Sequence, residues 1–534
     1  MKTNNILKQI CIWSLALNLL SCDFLDTKPY DFVAPETFYK DEKECTMALA
    51  GVYFTLAKAT VYGNNYSLML SNTDDLSYFT REYTSTPVLN HGAVCNTHDA
   101  GNSQMFDTWT DLYDGINNAN ILLENIDRAT MSDEAHKRIK GEAKFLRAYY
   151  HFLLVQAWYE VPIRKESVID METSSLEATP HAEAMDWIIK EMEDCIDMVD
   201  NSNYDKSPSY VKKTVVEGIL ARVCLWRAGY PSMGGNEFYQ KAAKYAKAVY
   251  DSKKHKLYKG DVYAIWKNMA SDKYDTEYNE SMWEVEFIGT KDDGRYTESR
   301  IGNEIGNLQN VNGGKGLGSG FYAGSLILWD LYEKNPGDLR RDLSMAPYQI
   351  NNKGAEAAWK DTEIVERRCG KFRREWETNT PLNKNYTGIN FPILRYADVL
   401  LMLAEADMEV NGVTNLALSC INEVRERAGI SKLPETISID ALRQELRDER
   451  ARELCFEALR KYDLVRWGIY VKAINTDLAK AVTTDSRWSS VKNNRSGAEG
   501  FALYTKDKHQ FLPIPRQEMS VNTKLKQNSY WSKE

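Results

Sequence analysis

The sequence predicts a mostly α-helical protein that carries long irregular loops and a few short strands. Three observations lead there. Helix-sized segments with apolar residues at three- and four-residue steps recur in both halves of the chain, as in FDTWTDLYDGINNANILLENI, where Trp109, Leu112, Tyr113, Ile116 and Ala119 share a face. The neighbouring stretches EGILARVCLWRAG and YQKAAKYAKAVY place Ala and Gly at close-approach positions, as tetratricopeptide hairpins do, and Tyr396 to Gly429 spans a second such pair. Between these helical stretches lie tracts rich in Gly, Asn and Thr, from about 60 to 101 and from about 267 to 390. The hairpins are few and far apart, which indicates a tetratricopeptide-like helical scaffold with insertions rather than an open solenoid.

The elements follow in order. Lys2 and Lys8 precede an apolar run from Ile10 to Leu20 that is too short to cross a bilayer, so residues 1–21 read as a signal peptide. No other apolar stretch approaches the ~20 residues of a membrane span. A first helix is expected over 36–58, followed by helices in 106–126, 141–163, 181–198, 215–227 and 239–250. SMWEVEFIGT alternates like a strand, and from about 266 to 390 long irregular segments carry Trp266, Trp283, Tyr296, Phe321, Tyr322, Trp359 and Trp376. Ordering such segments opposes folding unless the aromatic residues pack or bind.

Composition excludes several functions. The 534 residues are 43% apolar and 27% charged with only 14 prolines, an ordered chain with a large core. A net charge of -9 argues against a nucleic-acid partner. Of nine cysteines, Cys11 and Cys22 lie in the first segment, and the other seven have no C-x-x-C spacing, so no disulfide framework is expected. Cys224, Cys420 and Cys455 read as small buried hydrophobes. Seven histidines never fall at metal-ligand spacing, and no cofactor or metal is expected. Neither G-x-S-x-G nor H-E-x-x-H occurs, and the glycine-rich run from Gly313 to Gly320 lacks the Ser or Thr of a phosphate loop after Lys315. The loop carboxylate pairs Asp74-Asp75 and Asp292-Asp293 read as solvation or capping rather than as a glycosidase pair.

The stretch from Phe391 to Gly468 interleaves Glu449, Arg450, Arg452, Glu453, Glu457, Arg460, Asp463 and Arg466 with Leu454, Phe456, Leu464 and Trp467. That mixture predicts a half-buried helix whose charges pair with neighbouring helices and play a structural part. The run ER-x-REL-x-FE-x-x-R-x-x-DL-x-RWG, with Arg395-Tyr396-Ala397-Asp398 and Ala404-Glu405-Ala406 before it, resembles the C-terminal signature of the SusD/RagB family of outer-membrane nutrient-binding lipoproteins. Trp109, Tyr113, Asn120, Gly141, Glu142, Arg147 and Tyr150 match its N-terminal pattern, and HQFLPIPRQEMSVNTKLKQN its closing segment. Leu19-Leu20-Ser21-Cys22 resembles a lipobox, which implies a diacylglycerol on Cys22 and a mature chain beginning there.

The resemblance implies one SusD-like domain over 22–534: an N-terminal helical half (22–265), a loop-rich insertion (266–390) and the signature region (391–534). It also implies a surface-exposed protein, held to the outer membrane by lipid alone. Such a protein captures a glycan without catalysis and passes it to a SusC-type TonB-dependent transporter. Sugar binding needs aromatic faces flanked by amide, carboxylate and guanidinium groups. TDDLSYFTREYT and HGAVCNTHD supply Asp75, Tyr78, Arg81, Asn96 and His98, with Asp75 and Arg81 matching an acidic residue and an arginine of glycan-binding relatives. The tryptophan usual in this region of relatives is absent between Arg81 and Asp99. Tyr296, Phe321, Tyr322 and Trp359 complete the expected ligand-binding set, while Trp109, Trp283 and Trp467 are assigned to the core. A surface glycoside hydrolase on a helical scaffold and a tetratricopeptide-type adaptor are the alternatives.

Overall fold

The computed structural model describes residues 38–80, 92–199, 207–288, 299–310, 316–378, 382–490 and 495–532. The lipobox cysteine Cys22, the signal segment, and the predicted site residues Arg81 and Tyr296 lie outside the described residues.

The scaffold is helical, as predicted. α1 (Glu42–Ala57), α2 (Ser103–Asn125), α3 (Asp133–Trp158) and α4 (His181–Glu193) pack in sequence, followed by the hairpin α5 (Lys213–Ala228) and α6 (Asn236–Ser252). Short polar side chains start several of them: Asp41 accepts from Glu44 N–H at 2.9 Å, Asn102 from Met105 N–H at 3.1 Å and Ser132 from Ala135 N–H at 3.2 Å. A short helix α7 (Ala264–Ala270) leads into the loop-rich region, which holds α8 (Ile301–Glu304), α9 (Leu326–Glu333) and α10 (Arg340–Ser344). The signature region supplies α11 (Tyr396–Asn411), α12 (Asn415–Arg427), α13 (Ile439–Leu454) and α14 (Arg460–Arg466).

α11 packs on both α5 and α6, so the last third of the chain completes the core begun by the first. Gly218 in α5 makes room for Leu394, just before α11: a Cβ there would stand 2.6 Å from Leu394 Cδ2. Three two-stranded antiparallel sheets decorate the helices: β1 (Ser77–Phe79) with β3 (Tyr322–Gly324), β2 (Ser281–Val285) with β6 (Phe391–Arg395), and β4 (Tyr348–Ile350) with β5 (Glu356–Ala358). β2 falls within the alternating stretch predicted as a strand.

One tract departs from the sequence reading. The start of the predicted irregular segment, 59–70, is wound into two wide helical turns that bury Val61, Tyr62, Tyr66, Leu68, Met69 and Leu70. The phenol of Tyr66 finds an internal partner, donating to Gln156 Oε1 at 3.1 Å, and Ser67 Oγ donates to the Tyr62 carbonyl at 2.8 Å.

The signature charges are buried and paired. Arg340 reaches Asp338 at 2.7 Å, Glu449 at 2.6 Å and Glu453 at 3.1 Å. Arg395 bonds Glu280, Glu453 and Glu457 at 3.2, 3.0 and 2.8 Å, and Lys371 adds a bond to Glu457 at 2.6 Å. A second group links Arg450 to Asp398 and Asp463, both at 2.8 Å, and Arg466 to Glu405. Trp109 and Trp283 are buried, and half-buried Trp467 donates to Glu405 Oε1 at 2.8 Å. The seven described cysteines are buried free thiols. Among the described residues no helix is long and apolar enough to cross a membrane.

Candidate functional site

Most of the predicted ligand-binding residues turn out to be internal supports. Asp75 is buried against Arg460, whose Nε and Nη2 each donate to it at 2.8 Å. Tyr78 is buried edge-on against Trp488, its hydroxyl donating to the Val365 carbonyl, and Tyr322 OH donates to Leu68 O at 2.7 Å. Asn96 donates to Thr505 Oγ1 at 2.7 Å, and His98 lies between His509 and Trp531 at 5.5 and 5.2 Å. These five side chains are buried, and their contacts tie β1 and the 92–98 segment to β3 and the C-terminal region, with His98 Nε2 alone among their buried polar atoms left without a partner among the described residues. The sequence placed them in a loop because their partners are remote in the chain, Arg460 above all. Asp74 is likewise a turn residue: it accepts from the N–H groups of Leu76 and Ser77, and burial pushes its carboxyl up to about 7.

Phe321 and Trp359 stay half-buried. Phe321 packs edge-on against Phe79 at 5.7 Å, and Trp359 ends the β4/β5 hairpin with its N–H on Pro347 O at 2.9 Å. Beside Phe321, Arg300 lies over the Tyr386 ring at 5.4 Å and pairs with Glu304 at 3.2 Å. Ile350 N–H donates to Leu308 O at 2.9 Å, joining this rim to β4.

A second cluster of aromatic rings gathers at the start of β4. The half-buried rings of Tyr263, Tyr348 and Trp376 surround the buried guanidinium of Arg373 at 5.4, 5.1 and 4.9 Å. Arg373 is fixed by three donations, to Gly370 O at 2.9 Å, Tyr348 OH at 2.9 Å and Asp342 O at 2.8 Å. Tyr348 OH in turn donates to Glu375 at 2.6 Å. Next to this cluster Arg341 and Arg367 lie over Trp329 at 5.1 and 4.8 Å, and Asp342 faces both guanidinium groups at 3.0 and 3.6 Å. Burial lowers the pKa of Arg367 and raises those of the Tyr263 and Tyr348 phenols. A depression of about 360 Å³ opens here, lined by Asp261, Tyr263, Glu333, Asn335, Arg341 and Asp342 among others.

Cations stacked under rings hold those rings in place. The result is a set of pre-oriented apolar faces bordered by fixed guanidinium and carboxylate groups, suited to the alternating CH faces and hydroxyls of a sugar. Of these residues the sequence singles out Trp376 and not Tyr263, Trp329, Tyr348 or the arginines. The available signal was the doublets Arg340-Arg341, Arg367-Arg368 and Arg373-Arg374 inside an aromatic tract. No group of His, Cys, Asp and Glu fit for a metal ion occurs among the described residues.

Comparison with known proteins places this scaffold. The sequence model described as "SusD family" matches residues 233–531. The chain belongs to the SusD family. A second model, described as "Starch-binding associating with outer membrane", matches residues 23–225. SusD-like protein P25 of Formosa agariphila is 28% identical, with 98% of each chain covered. A SusD homolog of Bacteroides thetaiotaomicron superposes with a TM-score of 0.83 at 25% identity, covering 92% of this chain and 98% of its own. The fold is shared with a structure titled "Laminarin binding SusD-like protein", with a TM-score of 0.68 at 21% identity over 92% of this chain and all of the other.

Proposed function

We propose that this SusD-family protein captures a glycan at the outer membrane, anchored by lipid on Cys22, and delivers it without chemical change to a SusC-type TonB-dependent transporter. The Arg373 hub with its three partly exposed rings carries the glycan-binding part of this reading. Named binding functions of similar proteins, laminarin for one and starch for another, support the ligand class. Rings contribute by stacking, Arg341, Asp342 and Glu333 by hydrogen bonds to hydroxyls.

The test is retardation of the mature protein in gels containing a panel of polysaccharides, repeated with Trp376→Ala, Trp329→Ala and Tyr348→Ala. Each loss is expected to weaken binding ~2- to 10-fold, in line with ~0.5–1.5 kcal/mol per aromatic contact. Unchanged retardation in all three variants would reject this face. The rim of Arg300, Tyr386 and Phe321 is the second reading, favoured by the stacking of Arg300 on Tyr386, and it predicts that Tyr386→Ala has the larger effect. Reducing ends released from a retained glycan would replace the binding reading with the hydrolase one. Co-purification of a channel protein with the tagged chain from its native membrane tests the delivery step.

A further inference from the structure

A larger cavity, of about 530 Å³, lies away from the aromatic face, between the 207–214 segment, the end of α6, the loop that follows α7 and strand β2. Its lining mixes polar and apolar groups, and three lysines there outnumber the carboxylates Asp275 and Glu284, in a chain whose net charge is -9. Lys212, Lys254 and Lys273 face it, and neither Lys254 nor Lys273 has an ion-pair partner among the described residues. The first turn of α5 forms part of the wall through Thr214, and its N-cap residue, Lys212, provides no side-chain cap. The positive end of the helix dipole therefore adds to the lysines.

Hydrogen-bonding groups for a hydroxylated ligand are also in place. Asp275 receives the N–H groups of Glu277 and Tyr278 on Oδ1, both at 3.0 Å, while its buried Oδ2 has no partner among the described residues. Asn268 and Asn279 line the same space. His255 is held as a neutral ring, with Nδ1 on the Asn279 carbonyl at 2.8 Å and Nε2 on Thr214 Oγ1 at 3.0 Å, so it adds no charge. Glu284 lines the cavity with its Oε2 held by Asn390 at 3.1 Å, and burial pushes its carboxyl up to about 7, which reduces its repulsion of an anion.

We propose that this cavity is a second ligand site that takes an anionic sugar unit, a uronate or a sulfated saccharide. The acid group sits at Lys254 and Lys273, and the hydroxyls bond Asp275 and Asn268. The volume suits roughly one or two sugar rings. The assignment rests on the reading of the protein as a glycan binder but uses none of the residues of the aromatic face.

Calorimetric titration of the full mature chain with a galacturonate trisaccharide, a sulfated disaccharide, their neutral counterparts and inorganic sulfate tests the assignment. An anionic saccharide should bind at least about tenfold more tightly than its neutral counterpart, weaken with added salt, and lose about tenfold in affinity in Lys254→Ala/Lys273→Ala, as expected for charge-assisted hydrogen bonds. The two lysines are exposed, so the variant should fold as the parent does. The arms with carboxylate and sulfate decide which acid group is preferred. Equal binding of charged and neutral saccharides, or affinity untouched by the double variant, would overturn the proposal, as would inorganic sulfate binding as tightly as the saccharides. Trp376→Ala separates the two readings: it should reduce polysaccharide retardation while leaving the titration unchanged. Retardation without any anionic binding would reject only the cavity, and anionic binding without retardation would reject only the face.

Discussion

Two regions of the molecule use arginine beside carboxylates and aromatic rings, to opposite ends. In the core network around α13, Arg340, Arg395 and Arg450 are surrounded by carboxylates from several elements and excluded from water. On the aromatic face, Arg373 is also buried, but its planar surface is covered by rings that still reach solvent. Charge in the first region is balanced by charge, which fixes how segments remote in sequence meet. In the second it is balanced by π-faces and backbone carbonyls, which leaves the outer ring surfaces for a ligand. Pairing in the interior serves register, since the desolvation of each ion offsets much of the attraction.

The sharpest way to break this comparison is to remove one partner from each region. Arg395→Ala would leave the buried carboxylates Glu280, Glu453 and Glu457 short of one cation, with only Arg340, Lys371 and Arg427 among the described residues still paired to them. The expected loss is about 3–5 kcal/mol, read as a lower denaturant midpoint, with the binding of the surviving folded fraction unchanged. A loss of less than ~1 kcal/mol would mean that the network relaxes around the missing ion, and that the register argument is wrong.

A second contrast is in acid. His151, inside α3, accepts the Arg164 N–H on Nε2 at 3.0 Å and donates from Nδ1 to Arg147 O at 2.9 Å, and burial lowers its pKa to about 3. The folded state therefore refuses a proton that the unfolded state takes up below pH ~6.5. This contribution to stability is lost as pH falls from ~6.5 towards the folded value, by up to about 1.4 kcal/mol per pH unit. His151→Gln should be less stable than the parent at pH 8, and the gap should narrow by up to about 3 kcal/mol by pH 4.5. Parallel stability curves in urea at the two pH values would show that the histidine titrates normally. The residues named for the aromatic face include no histidine, so affinity per folded molecule should stay level between pH 8 and 6.

Helices and scaffold were legible because their periodicity is local: the α5/α6 hairpin and the α11/α12 pair follow from Ala, Gly and apolar spacing alone. The charged run of α13 and α14 announced burial through the aromatics threaded into it, although no local pattern names Asp338 or Glu280 as partners. Asp75 shows where such reading stops. Its fate depends on Arg460, 385 positions away, and nothing in TDDLSYFTREYT distinguishes a carboxylate bound internally from one offered to a ligand. The aromatic face was missed for a related reason: Tyr263, Trp329, Tyr348 and Trp376 come from separate elements and converge only after the loop-rich region has packed.

A smaller effect probes that convergence most directly. Arg373→Lys keeps the positive charge but removes the planar fork, and with it the simultaneous donations to Gly370, Tyr348 and Asp342 and the stacking beneath three rings. An ammonium has no flat face to hold the indole of Trp376 or the two phenols in fixed orientation. The expected outcome is a ~2- to 5-fold loss of polysaccharide affinity, within the range of a weakened cation–π contact, with a stability change of no more than about 1–2 kcal/mol. Arg341→Lys, at the solvent side of Trp329, should change affinity less because Arg367 still underlies that ring. If Arg373→Lys binds as well as the parent while Trp376→Ala does not, the rings recognise the glycan without needing the arginine to orient them. The face would then be a set of separate contacts rather than one preorganised surface.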